Sequence, residues 1–528
     1  MVRLNHLLQF SLCAALFTGC QAASSIDVRP TPLPQDPNIQ VFTNHEPSSE
    51  YTEPYRKITR SGDNLEQILI ETITSATSTI DIAVQEFRLP NVAKALRDRA
   101  VAGVKIRVIL EHDYARPYST YSSAEVEKLP EREKARYQES RSLIDQNGDG
   151  QLSDDEIRDR DALVVLDSAK IPRIDDRADG SRGSDLMHHK FMVVDGKTTI
   201  VTSANWTLSD VYGDFSHPSS RGNANNFLKI NSPELAKAFT EEFELMWRDR
   251  KFGIKKPVRS MQQLKIGETQ IDLHFSPNFN TIPWEQTSNG LIAKTLRQST
   301  QSIDLALFVF SDQDLVNEML AARSAFESHP GVTIRALIEP TFIYRPFSEA
   351  LDMLGVALSD HCKWEPNNRP WQNPITTVGV PQLPPGDLLH HKFGIVDRQT
   401  VITGSHNWTN AANRGNDETL LVIHSPTVAA HFQREFDRLY ANSILGVPPA
   451  IQRKIEIQQK QCPPTVKADG KVNLNTATQA ELEALPGVGA GLAKRMIQAR
   501  PFSSIEDLDR VPGVGKKLME RLRDRVTW

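Results

Sequence analysis

The chain carries one polar constellation twice, and that duplication constrains the fold more than its composition does. His188, Lys190, Asp195, Ser203 and Asn205 return in the same order and at the same intervals as His390, Lys392, Asp397, Ser405 and Asn407. Each copy leads into an apolar stretch, Phe191 to Val194 or Phe393 to Val396, and a second stretch ends in Ser-x-Asn-Trp-Thr. Residues two apart on an extended strand point to one face, so each copy projects one imidazole and one ammonium into the same space. Two cations beside two ionisable rings make a poor core. They make a good clamp for a phosphodiester, whose extra charge in the transition state needs fixed donors.

The repeat extends well beyond these residues. Ser78 to Val84 is echoed by Gln301 to Leu307, Gly103 to Ile109 by Gly331 to Leu337, and Ile39 to Phe42 by Ile271 to Phe275. Short apolar strands alternating with amphipathic helices predict an α/β fold in which mixed sheets are flanked by helices. The two homologous lobes span 39–250 and 264–442, joined by a basic, polar connector. Lobes meeting face to face place one active site between them, and two lobes in one chain predict a monomer.

At the duplicated residues the sequence resembles the phospholipase D superfamily, whose signature is His-x-Lys, four residues, Asp, six residues, then Gly-Ser-x-Asn. The second copy fits throughout; the first has Thr202 where Gly is usual. The resemblance implies two displacements through a phosphohistidine, with no metal in the chemistry. It assigns His188 as nucleophile and His390 as acid and base, with the reverse order open. Lys190, Lys392, Asn205 and Asn407 then hold the phosphate oxygens, Ser203 and Ser405 support the turns, and Asp195 and Asp397 anchor strand ends. Glu418 falls where the family often has a carboxylate bonded to an imidazole, whereas the matching first-lobe segment, Arg221 to Asn225, offers only amides. A carboxylate favours the imidazolium, so the histidine meeting Glu418 is expected to be the readier proton donor.

A charged insertion at about 120–160 interrupts the first lobe. Within it, Asp145, Asn147, Asp149, Gln151 and Glu156 occupy the first, third, fifth, seventh and twelfth places of a loop with Gly150 at the sixth. That spacing resembles the EF-hand calcium loop, which implies one structural Ca2+.

Residues 1–19 have a basic start and a short apolar run, which predicts an export signal. Thr18-Gly19-Cys20 resembles a bacterial lipoprotein cleavage box with Cys20 acylated; a plain secretory signal and an uncleaved anchor are the alternatives. A polar tether follows over 20–38. Export predicts a periplasmic, surface-anchored or secreted protein, where Cys362 and Cys462 are free to pair. After a linker over 443–466, residues 467–528 change character, with Pro-Gly-Val-Gly at Pro486 and again at Pro512. The pair resembles the tandem helix-hairpin-helix module of competence-type DNA receptors, a small all-α domain. Gly487, Gly489, Gly513 and Gly515 bring backbone N–H groups close to a phosphate, while Lys494, Arg495, Lys516 and Lys517 add charge.

The formal net charge of −5 is spread over 528 residues and does not by itself select a polyanionic partner. The tail favours DNA, so an exported DNA endonuclease is the first reading. A phospholipase D or phosphatidyltransferase acting on phospholipid at a membrane is the second, and a DNA receptor with a retired catalytic fold ranks last because both polar sets are intact.

Overall fold

The computed structural model describes residues 29–180, 185–324, 331–365, 368–462, 471–475 and 477–528. The signal, Cys20 and the first part of the tether lie outside the described residues. No helix among the described residues is long and apolar enough to cross a membrane.

Two mixed sheets form the body. In the seven-stranded first sheet the order is Ile39–Thr43, Asn226–Asn231, Thr198–Thr202, Lys190–Val194, Thr79–Val84, Lys105–Leu110 and Arg173–Asp175. The second sheet has nine strands and repeats that core order with Thr269–Ser276, Glu418–His424, Thr400–Gly404, Lys392–Val396, Ser302–Leu307, Thr333–Ile338 and Val378–Pro381. Gln262–Ile266 and Ser443–Leu445 add its edges. Lys190–Val194 runs antiparallel to Thr79–Val84 and Lys392–Val396 to Ser302–Leu307, and those two partners pair in parallel with Lys105–Leu110 and Thr333–Ile338.

The lobes share a core. Helices Pro233–Trp247 and Pro426–Ala441 lie with residues of both sheets in one hydrophobic cluster. Phe239 stands edge-on to Phe191 of the first sheet at 4.9 Å and to Phe275 of the second at 5.2 Å. Burying such rings contributes about 1.5 to 3 kcal/mol each, and here the contribution holds one lobe to the other.

Part of the stretch expected to be a linker is folded. Ser443–Leu445 joins the second sheet, and helix Pro449–Gln461 packs Ile455 onto Leu351 and Leu358. A disulfide between Cys362 and Cys462 closes this corner. The connector is likewise built in: Lys256 is buried against Glu242 and Asp417, and the half-buried Arg259 pairs with Glu242. The tail is nearly all helical as expected, but Val472–Asn473 and Val526–Thr527 pair in parallel and close it.

Asp195 and Asp397 hold strand ends, as their positions imply. Both have positive φ, 53° and 52°, at the turn between catalytic strands. Asp195 accepts from the amides of Thr77, Ser78 and Thr79 and from the hydroxyls of Thr77 and Ser78, at 2.7 to 2.9 Å. Asp397 accepts from the amides of Thr300, Gln301 and Ser302 and from the Thr300 hydroxyl, each at 2.8 Å. Burial opposes ionisation, but these donors outweigh it and hold both carboxyls below their usual range. Asp195→Ala is expected to cost about 2 to 4 kcal/mol, read as a lower urea midpoint. Because the folded pKa is depressed, the stabilisation is complete above about pH 4. It is lost as pH falls through the folded value, so wild type and Asp195→Asn converge on acidification.

Candidate active site

The catalytic motifs meet where the lobes cross. The amide of His188 donates to Asp417 O at 3.0 Å, and that of His390 to Ala224 O at 3.1 Å. Asp417 N returns to Leu186 O at 2.9 Å and Ala224 N to Leu388 O at 2.8 Å, a matched pair of short crossings. His188, Lys190, His390 and Lys392 are all buried at this junction.

Each imidazole is held by the opposite lobe. His188 Nδ1 lies 2.7 Å from Glu418 Oε2, which also accepts from Ser405 Oγ at 2.7 Å. His390 Nδ1 lies 3.0 Å from Asn225 Oδ1, which accepts from Ser203 Oγ at 2.8 Å. The Ser203 and Ser405 hydroxyls also accept from the amides of Asn226 and Thr419, so both serines support their turns. Lys190 Nζ donates to His188 O and Gln85 Oε1, at 3.0 and 3.2 Å. Lys392 Nζ donates to His390 O at 2.7 Å and stands 5.1 Å from the Phe308 ring centre. Asn205 Oδ1 and Asn407 Oδ1 are buried without a partner among the described residues. A half-turn of either amide would offer N–H to a ligand oxygen.

Burial dominates the electrostatics. It lowers His188 to about 4 despite Glu418, with Lys190 and Lys392 pushing the same way, and it lowers His390 well below the usual histidine value. Lys190 falls to about 8 for the same reason. Glu418 is pushed up by burial, but His188 outweighs this and brings it to about 2, so it is ionised. A carboxylate on Nδ1 of a neutral ring fixes the proton there and leaves the Nε2 lone pair free. Burial lowers both rings, and Glu418 opposes that fall at His188, whereas the bond at His390 comes from an amide. With its Nδ1 held by Glu418, the His188 ring presents Nε2 in the form a nucleophile needs.

A family model described as cardiolipin synthase, PLD-like domain, matches residues 69–247 and 292–440, more than half of the chain. The chain belongs to this phospholipase D-like family. It is accordingly a phosphodiester hydrolase of the phospholipase D superfamily. Mitochondrial cardiolipin hydrolase of Xenopus laevis is 24% identical over 191 residues, covering 35% of this chain and 78% of that protein. The Chlamydomonas reinhardtii protein of the same name is 42% identical over 154 residues, covering 29% of this chain and 58% of that one. Phosphatidylserine synthase of Haemophilus influenzae Rd KW20 aligns over 82% of this chain and 96% of its own, with a TM-score of 0.44 and 12% identity. A helix-hairpin-helix model matches 467–527.

Two residues of this phospholipase D-like site escaped the sequence reading. His189 and His391 lie between the catalytic His and Lys on the opposite face of the strand. His189 bridges Thr419 Oγ1 at 2.9 Å and Glu242 at 3.0 Å, and His391 bridges Asn226 Oδ1 at 3.2 Å and Glu435 at 3.0 Å. They tie each lobe to the other, and strand alternation was the signal for them. The first lobe is also not limited to amides, because Asp210 brings a buried carboxylate to 3.6 Å from His390 Nδ1.

The insertion contributes a wall. Its helix Glu131–Ile144 places Arg132 and Arg136 on a cavity of about 80 Å3 that also reaches His390, Asn205 and Phe308. That helix and Asp154–Arg160 flank the acidic loop. Asp145 accepts from the amides of Gly148 and Gly150, and Glu156 Oε1 from those of Gln146 and Asn147, at 2.8 to 3.3 Å. Five oxygen donors, exposed or half-buried, between two helices fit the chemistry of Ca2+. No preformed cage of three or more His, Cys, Asp or Glu side chains stands among the described residues.

In the tail, Gly487 and Gly513 have φ of 89° and 99° in the two hairpins. Gly489 and Gly515 precede helices Ala490–Gln498 and Lys516–Leu522, and Lys494, Lys516 and Lys517 are exposed. Arg495 is exposed as well. Its Nε donates to Pro512 O at 2.7 Å, tying the hairpins together.

Glu418→Gln is expected to lower kcat/KM roughly a hundredfold with KM nearly unchanged. Steady-state kinetics check this, and the 15N shifts of His188 should show the fixed tautomer lost.

Proposed function

We propose that the protein is an exported DNA endonuclease whose two lobes cut a phosphodiester and whose tail holds the duplex. The observation that carries this reading is the helix-hairpin-helix module at 467–527, joined in one chain to a phosphodiesterase cleft. Tethering raises the local concentration of substrate at the cleft. The arginine-bearing insertion helix beside His390 supports a polyanion in the same place. The Cys362–Cys462 bond accords with an oxidising, extracytoplasmic setting.

In this mechanism His188 Nε2 attacks phosphorus, with Glu418 stabilising the cationic ring that results. His390, protonated once the phosphate is bound, gives its Nε2 proton to the leaving oxygen. It then takes a proton from the water that releases the phosphohistidine. Lys190, Lys392, Asn205 and Asn407 hold the non-bridging oxygens as charge builds.

A second reading is hydrolysis or transfer of phospholipid headgroups, favoured by relatives named mitochondrial cardiolipin hydrolase. Full-length protein is expected to nick plasmid DNA in the presence of chelator, to leave cardiolipin and phosphatidylcholine vesicles intact, and to form a phosphoenzyme on His188. His188→Ala should abolish all turnover. Vesicle cleavage with intact plasmid would reverse the reading. Lys516→Glu with Lys517→Glu should raise KM for plasmid several-fold and flatten its salt dependence.

We further propose that Asp145, Asn147, Asp149, the Gln151 carbonyl and Glu156 hold one structural Ca2+. Calcium at about a hundred times its dissociation constant should stabilise the protein by about 2.7 kcal/mol. Thermal melting checks this, and Glu156→Gln should remove the calcium-dependent shift.

A further inference from the structure

Asp210 occupies an unusual position in the duplicated motif. Counting from the shared Ser-x-Asn-Trp-Thr turn, the second lobe has buried Ala412 in its place, so the repeat does not need a carboxylate there to fold. The reverse holds at the strand start that follows, six residues after Ala412 in the second lobe and fifteen after Asp210 in the first. Glu418 closes Arg-Gly-Asn-Asp-Glu in the second lobe, while Asn225 closes Arg-Gly-Asn-Ala-Asn in the first. One carboxylate has been kept in each lobe, at two different sites.

Asp210 is 3% exposed, and the ion pair recorded for it among the described residues is with the His390 ring, at 3.6 Å. A buried carboxylate is costly to desolvate even when it is hydrogen-bonded, so its presence here calls for a reason. Its Oδ2 accepts from Asn205 N at 2.7 Å, and its Oδ1 from Asn223 Nδ2 at 2.6 Å and Asn225 Nδ2 at 3.2 Å. Asn225 uses its other end, Oδ1, to meet His390 Nδ1. The path runs from imidazole to amide to carboxylate, one hydrogen bond longer than the path from His188 to Glu418.

We infer that Asp210 is the positioning carboxylate of His390, acting through Asn225, so that each catalytic ring is backed by one carboxylate from the opposite lobe. This rests on His390 being the acid and base of the proposed mechanism. As the His188 Nε2–P bond forms and the P–O bond breaks, His390 passes one proton from Nε2 to the departing oxygen and becomes neutral. When water displaces the phosphohistidine, His390 takes one proton back. The cationic ring exists at the start and end of this cycle. A negative charge relayed through a polarised amide favours that cation and holds Nε2 on the leaving oxygen. The indirect link distinguishes it from His188, whose directly bonded carboxylate suits the cation of a phosphorylated ring.

The test uses full-length protein and two diesters that differ in their need for a proton, bis(p-nitrophenyl) phosphate and diphenyl phosphate. Phenolate is the poorer leaving group, so acid catalysis matters more for it. In Asp210→Asn, which keeps the shape, the ratio of kcat/KM for diphenyl phosphate to that for the nitrophenyl ester should fall about tenfold. The same fall is expected in Asp210→Ala. Adding Asn225→Glu to Asp210→Ala copies the Ala412 and Glu418 arrangement into the first lobe, and should bring the ratio back to within about threefold of wild type. Proportional loss on both esters, leaving the ratio unchanged, would assign Asp210 to the scaffold and overturn the inference. So would a double variant no better than Asp210→Ala. Wild-type protein that turned over neither ester would remove the assignment of His390 itself, a separate failure that appears before any variant is made.

Discussion

The site depends on the exchange of short backbone bonds between lobes at His188 with Asp417 and at His390 with Ala224. Neither lobe holds its own histidine in working order. The Nδ1 partner of each ring comes from across the junction, so tautomer and aim are properties of the assembled pair. The shared core of Phe191, Phe239 and Phe275 supplies the apolar contact that keeps these polar bonds in register.

Bringing two lysines and two imidazoles out of water is expensive, and the surroundings show how the cost is met. Behind the catalytic face, His189 and His391 bond to Glu242 and Glu435, while Lys256 and Arg259 converge on Glu242. Buried charges of both signs are thereby paired, which is the condition under which such groups are tolerated. On the catalytic face the cations remain short of anionic partners, and burial lowers Lys190 and both histidines. A bound phosphodiester supplies the missing negative charge. In the proposed mechanism this couples substrate binding to protonation of the acid.

Further elements surround this duplicated geometry within one chain. The insertion helix walls the cavity beside His390 with Arg132 and Arg136. The disulfide and the helix Pro449–Gln461 close the far edge of the second lobe, between the catalytic body and the tail in sequence.

The sequence alone determined the two-lobe α/β organisation, the duplicated His, Lys, Ser and Asn set, the anchoring role of Asp195 and Asp397, and the glycine hairpins of the tail. These are legible because strand alternation, turn chemistry and repeated spacing are local in the chain. Tertiary structure alone decided which histidine meets Glu418, that Asp210 reaches His390, that Arg495 ties the hairpins, and that Lys256 and Arg259 pair with Glu242 rather than standing in a solvated connector. Each of these depends on groups far apart in sequence meeting across an interface. Which ring a carboxylate meets depends on how the lobes cross, and residue order does not encode that crossing.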